Sequence, residues 1–141
     1  MRFFLLLLIQ PVFCFFQKKI ILNKPLYNNI NPLAYENIIA KILKGKSPCD
    51  KVFENEHVLS FKDISPKAKT HILIIPKKSL LDISDFLQNA DSLYQTNFWK
   101  SVDEIIDILG LRDKGFQIKT HKGKDGGQEV FHFHLHLLSN A

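Results

Sequence analysis

Three histidines at every second position near the end of the chain offer the most distinctive chemistry. His132, His134 and His136 alternate with apolar residues in the segment 130–139, which is typical of a β-strand. Successive side chains of a strand point to opposite faces, so the three imidazoles are expected on one face. The expected apolar face consists of Phe131, Phe133, Leu135 and Leu137. Repulsion between protonated imidazoles should keep at least one of them neutral near pH 7, and therefore nucleophilic.

A glycine-containing turn, residues 122–127, directly precedes this strand. Gly126 and Gly127 allow backbone to approach a ligand closely, and consecutive N–H groups there can form an anion-binding concavity. A phosphate held by the turn would lie beside the histidine face. Attack of a neutral imidazole on a held phosphorus is a covalent strategy that divides one difficult displacement into two easier steps.

Residue types alone leave two other interpretations of the histidines open. Three imidazoles at alternate positions of a strand can also bind zinc, which favours histidine nitrogens. A metal does not account for the adjacent phosphate-type turn, however. The histidines could also form a solvated surface, although three in register are unusual for that.

Hydrophobic periodicity and turn residues predict an antiparallel α+β domain with the order α-β-β-β-α-β-β. A short first helix should begin at Asn31 and Pro32 and end at Gly45. One long helix is expected over residues 85–109, with Gly110 ending it. Its predicted apolar stripe consists of Leu93, Val102, Ile105, Ile106 and Leu109. Strands are predicted to begin at Val52 and to cover residues 57–62, 71–75, 116–121 and 130–139.

The net charge of +5 lies almost entirely in the first 35 residues, which contain four basic residues and no acidic one. From Glu36 onward there are 15 basic and 14 acidic residues, so this nearly neutral part argues against nucleic-acid binding. The two cysteines, Cys14 and Cys49, form no CxxC pair, which argues against a disulfide framework or a cysteine zinc site.

The N-terminal segment has the features of a targeting leader. Residues 3–16 are almost continuously apolar but too short for a bilayer-spanning helix, and the basic, acid-free stretch after them is typical of a transit peptide. We therefore expect a leader over residues 1–33 and a domain over residues 34–141. Such a leader predicts secretory entry, with onward transfer to a plastid-type organelle, whereas the alternatives are the cytoplasm or a mitochondrion. A retained membrane anchor and a core-packed helix are the alternative interpretations of the segment.

The histidine segment also resembles the signature of the histidine triad proteins. Residues 132–138 read His-Phe-His-Leu-His-Leu-Leu, and residues 126–131 are similar to the family's approach to that motif. Residues 61–71 and 75–78 resemble its second block, and residues 38–48 resemble its opening helix. The resemblance covers about residues 36–139 and is closest to the Hint-type nucleoside phosphoramidases. It implies a histidine triad fold: an antiparallel sheet with one long helix and one short N-terminal helix.

The resemblance also implies roles for individual residues. His134 matches the nucleophile that forms a nucleotidyl-histidine intermediate. His132 and His136 match its flanking partners, and His71 matches a further histidine near the site. Asp63 matches the carboxylate that binds the ribose hydroxyls. The matches to the phosphate and leaving-group contacts are Gln128 and the backbone around Glu129. The matches to the apolar slot for the base are Ile38, Ile39, Ile42, Phe61 and Ile64.

Several positions depart from the family pattern. His121 stands where an asparagine commonly contacts the nucleotide, Ser79 where a histidine is frequent, and Lys69 where a proline is frequent. The cysteine zinc ligands of some bacterial members have no counterpart, since Ala40 occupies the opening helix. These differences bear on substrate preference and rate.

The expected activity is hydrolysis at the α-phosphorus of nucleoside phosphoramidates or related purine nucleotides, by a homodimer that needs no cofactor or metal. The alternatives are a dinucleoside polyphosphate hydrolase and a nucleotide-binding module with little turnover. No nucleic-acid partner is expected. Contact with a membrane is expected only through the leader, if the leader is retained.

Overall fold

A five-stranded antiparallel sheet forms the centre of the structure, a computed structural model that describes residues 37–141. The strand order is β1-β2-β3-β5-β4. The elements in chain order are α1 (Ile38–Leu43), β1 (Lys51–Glu54), β2 (Val58–Lys62), β3 (Thr70–Pro76), α2 (Ile83–Asn89), α3 (Ser92–Ile108), β4 (Gln117–Lys119) and β5 (Leu135–Ser139). The predicted α+β class and the antiparallel sheet are confirmed. The predicted leader, residues 1–33, lies outside the described residues.

The two faces of the sheet carry different helices because side chains alternate along each strand. On one face, α2 and α3 pack against apolar side chains of β2, β3 and β5. The largest buried side chains of this cluster include Phe86, Phe98, Phe133, Ile74 and Leu137. On the other face, Ile39 of α1 packs on Leu59, Phe61 and Ile75. The histidines of β3 and β5 lie on this second face, because Leu73 of β3 is paired with His136 of β5.

The predicted long helix is confirmed as α3, but its predicted start at residue 85 is wrong, because a separate helix, α2, ends before Ala90 and Asp91. Ala90 adopts an extended conformation, and the Asp91 side chain accepts a hydrogen bond from Tyr94 N, which makes Asp91 the N-cap of α3. The buried face of α3 therefore begins with Tyr94 and Phe98. Leu93, which was expected in the apolar stripe, is 70% exposed, because nine residues separate it from Val102 and put it on the opposite face of α3. Val102, Ile105 and Ile106 are buried as predicted.

The last strand begins at Leu135, five residues later than predicted. Residues 130–134 leave the sheet because their polar groups bond elsewhere: Phe133 N donates to Leu80 O at 2.7 Å. Phe133, Leu135 and Leu137 are buried as predicted, whereas Phe131 is 42% exposed and does not belong to the apolar face. The histidines therefore do not all stand on one regular strand.

The start of α1 also differs from the prediction. Asn37 caps the helix, since its side-chain oxygen accepts a hydrogen bond from Ala40 N at 2.8 Å. The predicted start at Asn31 and Pro32 lies outside the described residues. Gly45 ends the helix as expected, with a positive φ of 69°. Within the described residues, no helix is both long and apolar enough to cross a bilayer.

Candidate active site

His134 is held in one tautomer by the backbone. Its Nδ1 lies 2.6 Å from the carbonyl oxygen of His132, and a carbonyl can only accept, so Nδ1 carries the proton. The lone pair is therefore on Nε2, which no hydrogen bond to another described residue uses. His134 is 8% exposed, and this burial lowers its pKa from the ordinary value, although the bond to His132 O acts in the opposite direction. The arrangement keeps a neutral, correctly oriented nucleophile available near pH 7.

His136 is oriented by a chain of hydrogen bonds that starts at a backbone amide. Lys67 N donates to Nδ1 of His71 at 3.1 Å, so the proton of a neutral His71 is on Nε2. That Nε2 lies 2.9 Å from Nδ1 of His136, which accepts the proton's hydrogen bond. A neutral His136 consequently carries its own proton on Nε2. Burial, followed by the charges of His134, His71 and His121, lowers the pKa of His136 to about 4.

His132 is buried behind the other two histidines of the motif. Its Nε2 donates to Pro76 O at 3.0 Å, and its Nδ1 is buried with no hydrogen-bond partner among the described residues. Burial lowers the pKa of His132 to about 4, so the ring stays neutral in the folded protein near pH 7. Its contribution to the site comes through its carbonyl, which holds His134, rather than through its ring.

His121 joins the cluster from the end of β4. Its ring packs edge-on against His136, with ring centroids 5.2 Å apart. The preceding residue, Thr120, donates its hydroxyl to His134 O at 2.8 Å, which ties this segment to the motif. The structure therefore brings together His71, His121, His134 and His136 on one side of the sheet, whereas the ring of His132, expected on the same face, is not part of this group.

The glycine-containing turn lies next to His121 and is closed by its own backbone. Gln128 N donates to Gly123 O at 2.9 Å, and Gly127 N donates to Lys124 O at 3.0 Å. A side chain at Gly126 would collide with the backbone of Lys122, and Gly127 has a positive φ of 71°. Both glycines are therefore required by the turn itself.

The side chain of Gln128 is occupied by backbone groups. Its Oε1 accepts from Gly123 N at 2.8 Å, and its Nε2 donates to Leu81 O at 2.8 Å and to Val130 O at 3.1 Å. Gln128 is buried, whereas Glu129 beside it is exposed. The contact of Gln128 with phosphate stays a prediction, and the geometry gives this side chain a second task that the sequence did not suggest.

The residues predicted to hold the nucleoside fall into two groups. Ile39 and Phe61 are buried in one cluster, and Ile42 packs against it. Ile38 is half-exposed, and Ile64 is 96% exposed, so both present apolar surface to solvent. Asp63 follows β2; its Oδ1 accepts from Ser65 N at 2.7 Å, and its Oδ2 lies 3.4 Å from His71 Nε2.

A metal ion fits this cluster poorly, although Asp63, His71 and His136 have ligand atoms within 4.8 Å of one another. A neutral His71 that bound a metal through Nε2 would carry its proton on Nδ1. That proton would face Lys67 N–H, which already donates to Nδ1. Metal-bound histidines normally donate their second N–H to an acceptor, so the backbone opposes this arrangement.

Sequence reasoning missed the groups that orient the histidines, because most of them are main-chain atoms: Lys67 N, Pro76 O and Leu80 O. It also missed Asp82, whose carboxylate caps α2 and lies 3.0 Å from Lys122 Nζ beside the turn. Asp82 followed by Asp85 is a recognisable helix-start pattern, but nothing in the sequence links it to the turn.

Comparisons with known proteins agree with this geometry. A HIT-domain family model matches residues 44–141. An uncharacterized HIT-like protein of Helicobacter pylori is 44% identical over 103 residues, which cover 73% of this chain and 95% of that protein. The structure is similar to that of a HIT family hydrolase from Clostridium thermocellum, with 33% identity, a TM-score of 0.67 and coverage of 74% of this chain and 90% of the other.

It is also similar to the histidine triad nucleotide-binding protein from Candida albicans, with 31% identity, a TM-score of 0.63 and coverage of 71% of each chain. The match of the family model over most of the chain agrees with the three histidines at residues 132–136 and with the antiparallel fold. The chain belongs to the histidine triad (HIT) family.

Proposed function

We propose that the protein hydrolyses nucleoside 5′-phosphoramidates, or related purine nucleotides, at the α-phosphorus through a covalent bond to His134. The observation that carries this proposal is the bond from His134 Nδ1 to His132 O, which leaves the Nε2 lone pair for attack. The names of the similar structures, a HIT family hydrolase and a histidine triad nucleotide-binding protein, support a nucleotide hydrolase.

The reaction divides into two displacements. In the first, His134 Nε2 forms a bond to the α-phosphorus and the bond from phosphorus to the leaving nitrogen or oxygen breaks. Neutral His136 donates a hydrogen bond from Nε2 to the leaving atom, an orientation set by His71, and the leaving group takes its proton from solvent water. In the second, a water oxygen bonds to phosphorus, the phosphorus–His134 bond breaks, His134 Nε2 regains its lone pair, and the water's proton passes to solvent. The products are a nucleoside monophosphate and an amine or alcohol.

The nucleotide would be bound by residues that surround His134 and His136. The backbone of the turn and Glu129 would hold the phosphate, with His121 beside it. Asp63 would accept hydrogen bonds from the ribose hydroxyls, since its carboxylate is partly exposed next to His71. The apolar side chains that would line the base slot are Ile38, Ile39, Ile42, Phe61 and Ile64.

Two assays distinguish this function from its alternatives. Steady-state turnover of adenosine 5′-phosphoramidate, with His134→Ala as the control, separates an enzyme from a binding module. Turnover by wild type that is lost in His134→Ala supports the proposal, and equal activity of the two proteins contradicts it. Product analysis with a diadenosine polyphosphate then shows whether cleavage of that substrate is faster, which would favour the dinucleoside polyphosphate hydrolase.

We further propose that two copies of the chain associate through β4. This strand lies at the edge of the sheet, and all three of its residues are exposed, including Ile118. Phe116 next to it is also exposed, so the edge combines apolar surface with backbone groups that no other described strand pairs. Light scattering should give a dimer mass, and Ile118→Lys should shift the protein toward monomer.

A further inference from the structure

We propose that the segment Leu80–Asp82 positions the glycine-containing turn, residues 122–127, relative to His134. The ion pair between Asp82 and Lys122 is a contact in this arrangement that side-chain substitutions can change. The inference rests on the proposed function, because positioning matters only if His134 attacks a held phosphorus. Asp82 and Lys122 are positioning residues, since neither is placed in contact with the reacting atoms.

Three consecutive residues of this segment each hold a different part of the site. Leu80 O accepts from Phe133 N at 2.7 Å, between His132 and His134. Leu81 O accepts from Nε2 of Gln128 at 2.8 Å. Asp82 Oδ2 lies 3.0 Å from Nζ of Lys122, the first residue of the turn. One short segment therefore holds the histidine segment and both ends of the turn, through two carbonyl groups and one carboxylate.

The contacts of Asp82 and Lys122 can fix the position of the turn, because the carboxylate is itself held in place. The Asp82 side chain is almost completely buried, and its Oδ1 accepts from Ser84 N and Asp85 N, which fixes the carboxylate at the start of α2. The backbone of Lys122 in turn lies directly under Gly126, where no side chain could fit. Displacement of Lys122 would consequently displace Gly126 and the N–H groups that would hold phosphate.

Gln128 also links the turn to the segment Leu80–Asp82. Its amide connects Gly123 of the turn to Leu81 O, so all its polar atoms are used within the protein. We assign Gln128 to holding the turn in shape, which explains why its side chain is buried.

The test compares two helix-capping aspartates that have the same chemistry in different places. Asp82→Asn keeps an oxygen for capping α2 but removes the charge that faces Lys122. Asp91→Asn is the control, because Asp91 also caps a helix and pairs with a lysine, Lys78, at 2.9 Å, although its side chain is 62% exposed whereas that of Asp82 is 6% exposed. That second pair lies beside Tyr94, outside the histidine cluster.

With adenosine 5′-phosphoramidate as substrate, Asp82→Asn and Lys122→Met should each lower kcat about tenfold while KM changes less than about threefold. Misplacement of a reacting group by about 1 Å can cost up to about 100-fold in rate. The double variant should be no slower than either single variant, because both remove the same interaction. Lys122→Arg should restore most of the rate, and Asp91→Asn should match wild type.

Three results would overturn the inference. One is a kcat for Asp82→Asn and Lys122→Met equal to that of Asp91→Asn. Another is opposite changes in KM for Asp82→Asn and Lys122→Met, which would mean that Lys122 attracts the phosphate directly. The third is multiplicative losses in the double variant. If Asp82→Asn does not fold, Lys122→Met and Lys122→Arg carry the test, because Lys122 is exposed.

Amide hydrogen exchange separates failure of this inference from failure of the proposed function. Even if wild type does not turn over the phosphoramidate, Asp82→Asn should speed exchange at Gly123, Gly127 and Gln128 relative to Asp91→Asn. Equal exchange in the two variants would contradict the positioning role, whatever the activity.

Discussion

Replacing His132 with glutamine should make the protein's stability less sensitive to acid. Burial lowers the pKa of His132 to about 4, whereas a histidine in the unfolded chain has a pKa of about 6.5. Between these values the unfolded chain binds more protons than the folded protein, so the free energy of unfolding falls as the pH falls through this window. Glutamine does not titrate, and its amide can still donate to Pro76 O, the partner of His132 Nε2.

The size of the effect follows from the two pKa values. Over the whole window, at about 1.4 kcal/mol per pKa unit, the loss from His132 would reach about 3 kcal/mol. Between pH 7.5 and pH 5 it would be about 2 kcal/mol, because protonation of the folded state is still minor at pH 5. Urea unfolding gives the free energy of unfolding of wild type and of His132→Gln at both pH values. The change between the two pH values is then compared between the two proteins, so any pH-independent effect of the substitution cancels.

Equal losses of stability in the two proteins between pH 7.5 and pH 5 would refute this reasoning. If His132→Gln does not fold, the chemical shifts of the His132 ring in wild type give the same information. A ring that protonates near pH 6.5 in the folded protein would show that its burial carries no electrostatic cost.

Three further outcomes are expected. Because burial lowers the pKa of His134, kcat/KM for a phosphoramidate should fall only below pH 6.5, and an acid limb at or above that value would contradict a buried neutral nucleophile. His121→Asn should bind adenosine monophosphate at neutral pH within about tenfold of wild type, or about 1.4 kcal/mol, by titration calorimetry; a loss of about 100-fold would show that His121 makes an essential contact. A chain that begins at Pro32 should stay soluble and keep wild-type turnover, as expected for a dispensable leader, and loss of either property would show that the preceding residues are part of the folded domain.

The sequence predicted the fold where periodicity and tertiary packing agree. The continuous apolar run at residues 71–75 correctly predicted a buried strand, and alternation correctly assigned Leu135 and Leu137 to the face that packs on α3. The alternation rule failed for Phe131, because the alternating pattern in the sequence begins before residue 135, where the pairing of β5 with β3 begins. The sequence prediction also merged α2 with α3, because the extended conformation of Ala90 and the cap at Asp91 interrupt an otherwise helical composition.

The site was predictable in its membership but not in its division of tasks. His132, His134 and His136 are equivalent by spacing. In the structure, His132 is enclosed, the Nε2 of His134 has no partner among residues 37–141, and His136 is bonded to His71. Apart from the side-chain bond between His71 and His136, these differences come from main-chain atoms, the carbonyls of Pro76 and His132 and the amide of Lys67, which almost any residue type would supply. The sequence therefore contains no signal for them.

The central claim is that His134 becomes covalently attached to the nucleotide, and intact-protein mass spectrometry tests it most directly. Wild type mixed with adenosine 5′-phosphoramidate and quenched without acid should gain the mass of one adenylyl group. His134→Ala should gain none, while still binding adenosine monophosphate. Substantial turnover by His134→Ala, or turnover by wild type without any adduct together with full inhibition by a chelator, would contradict the claim and favour a metal-bound nucleophile.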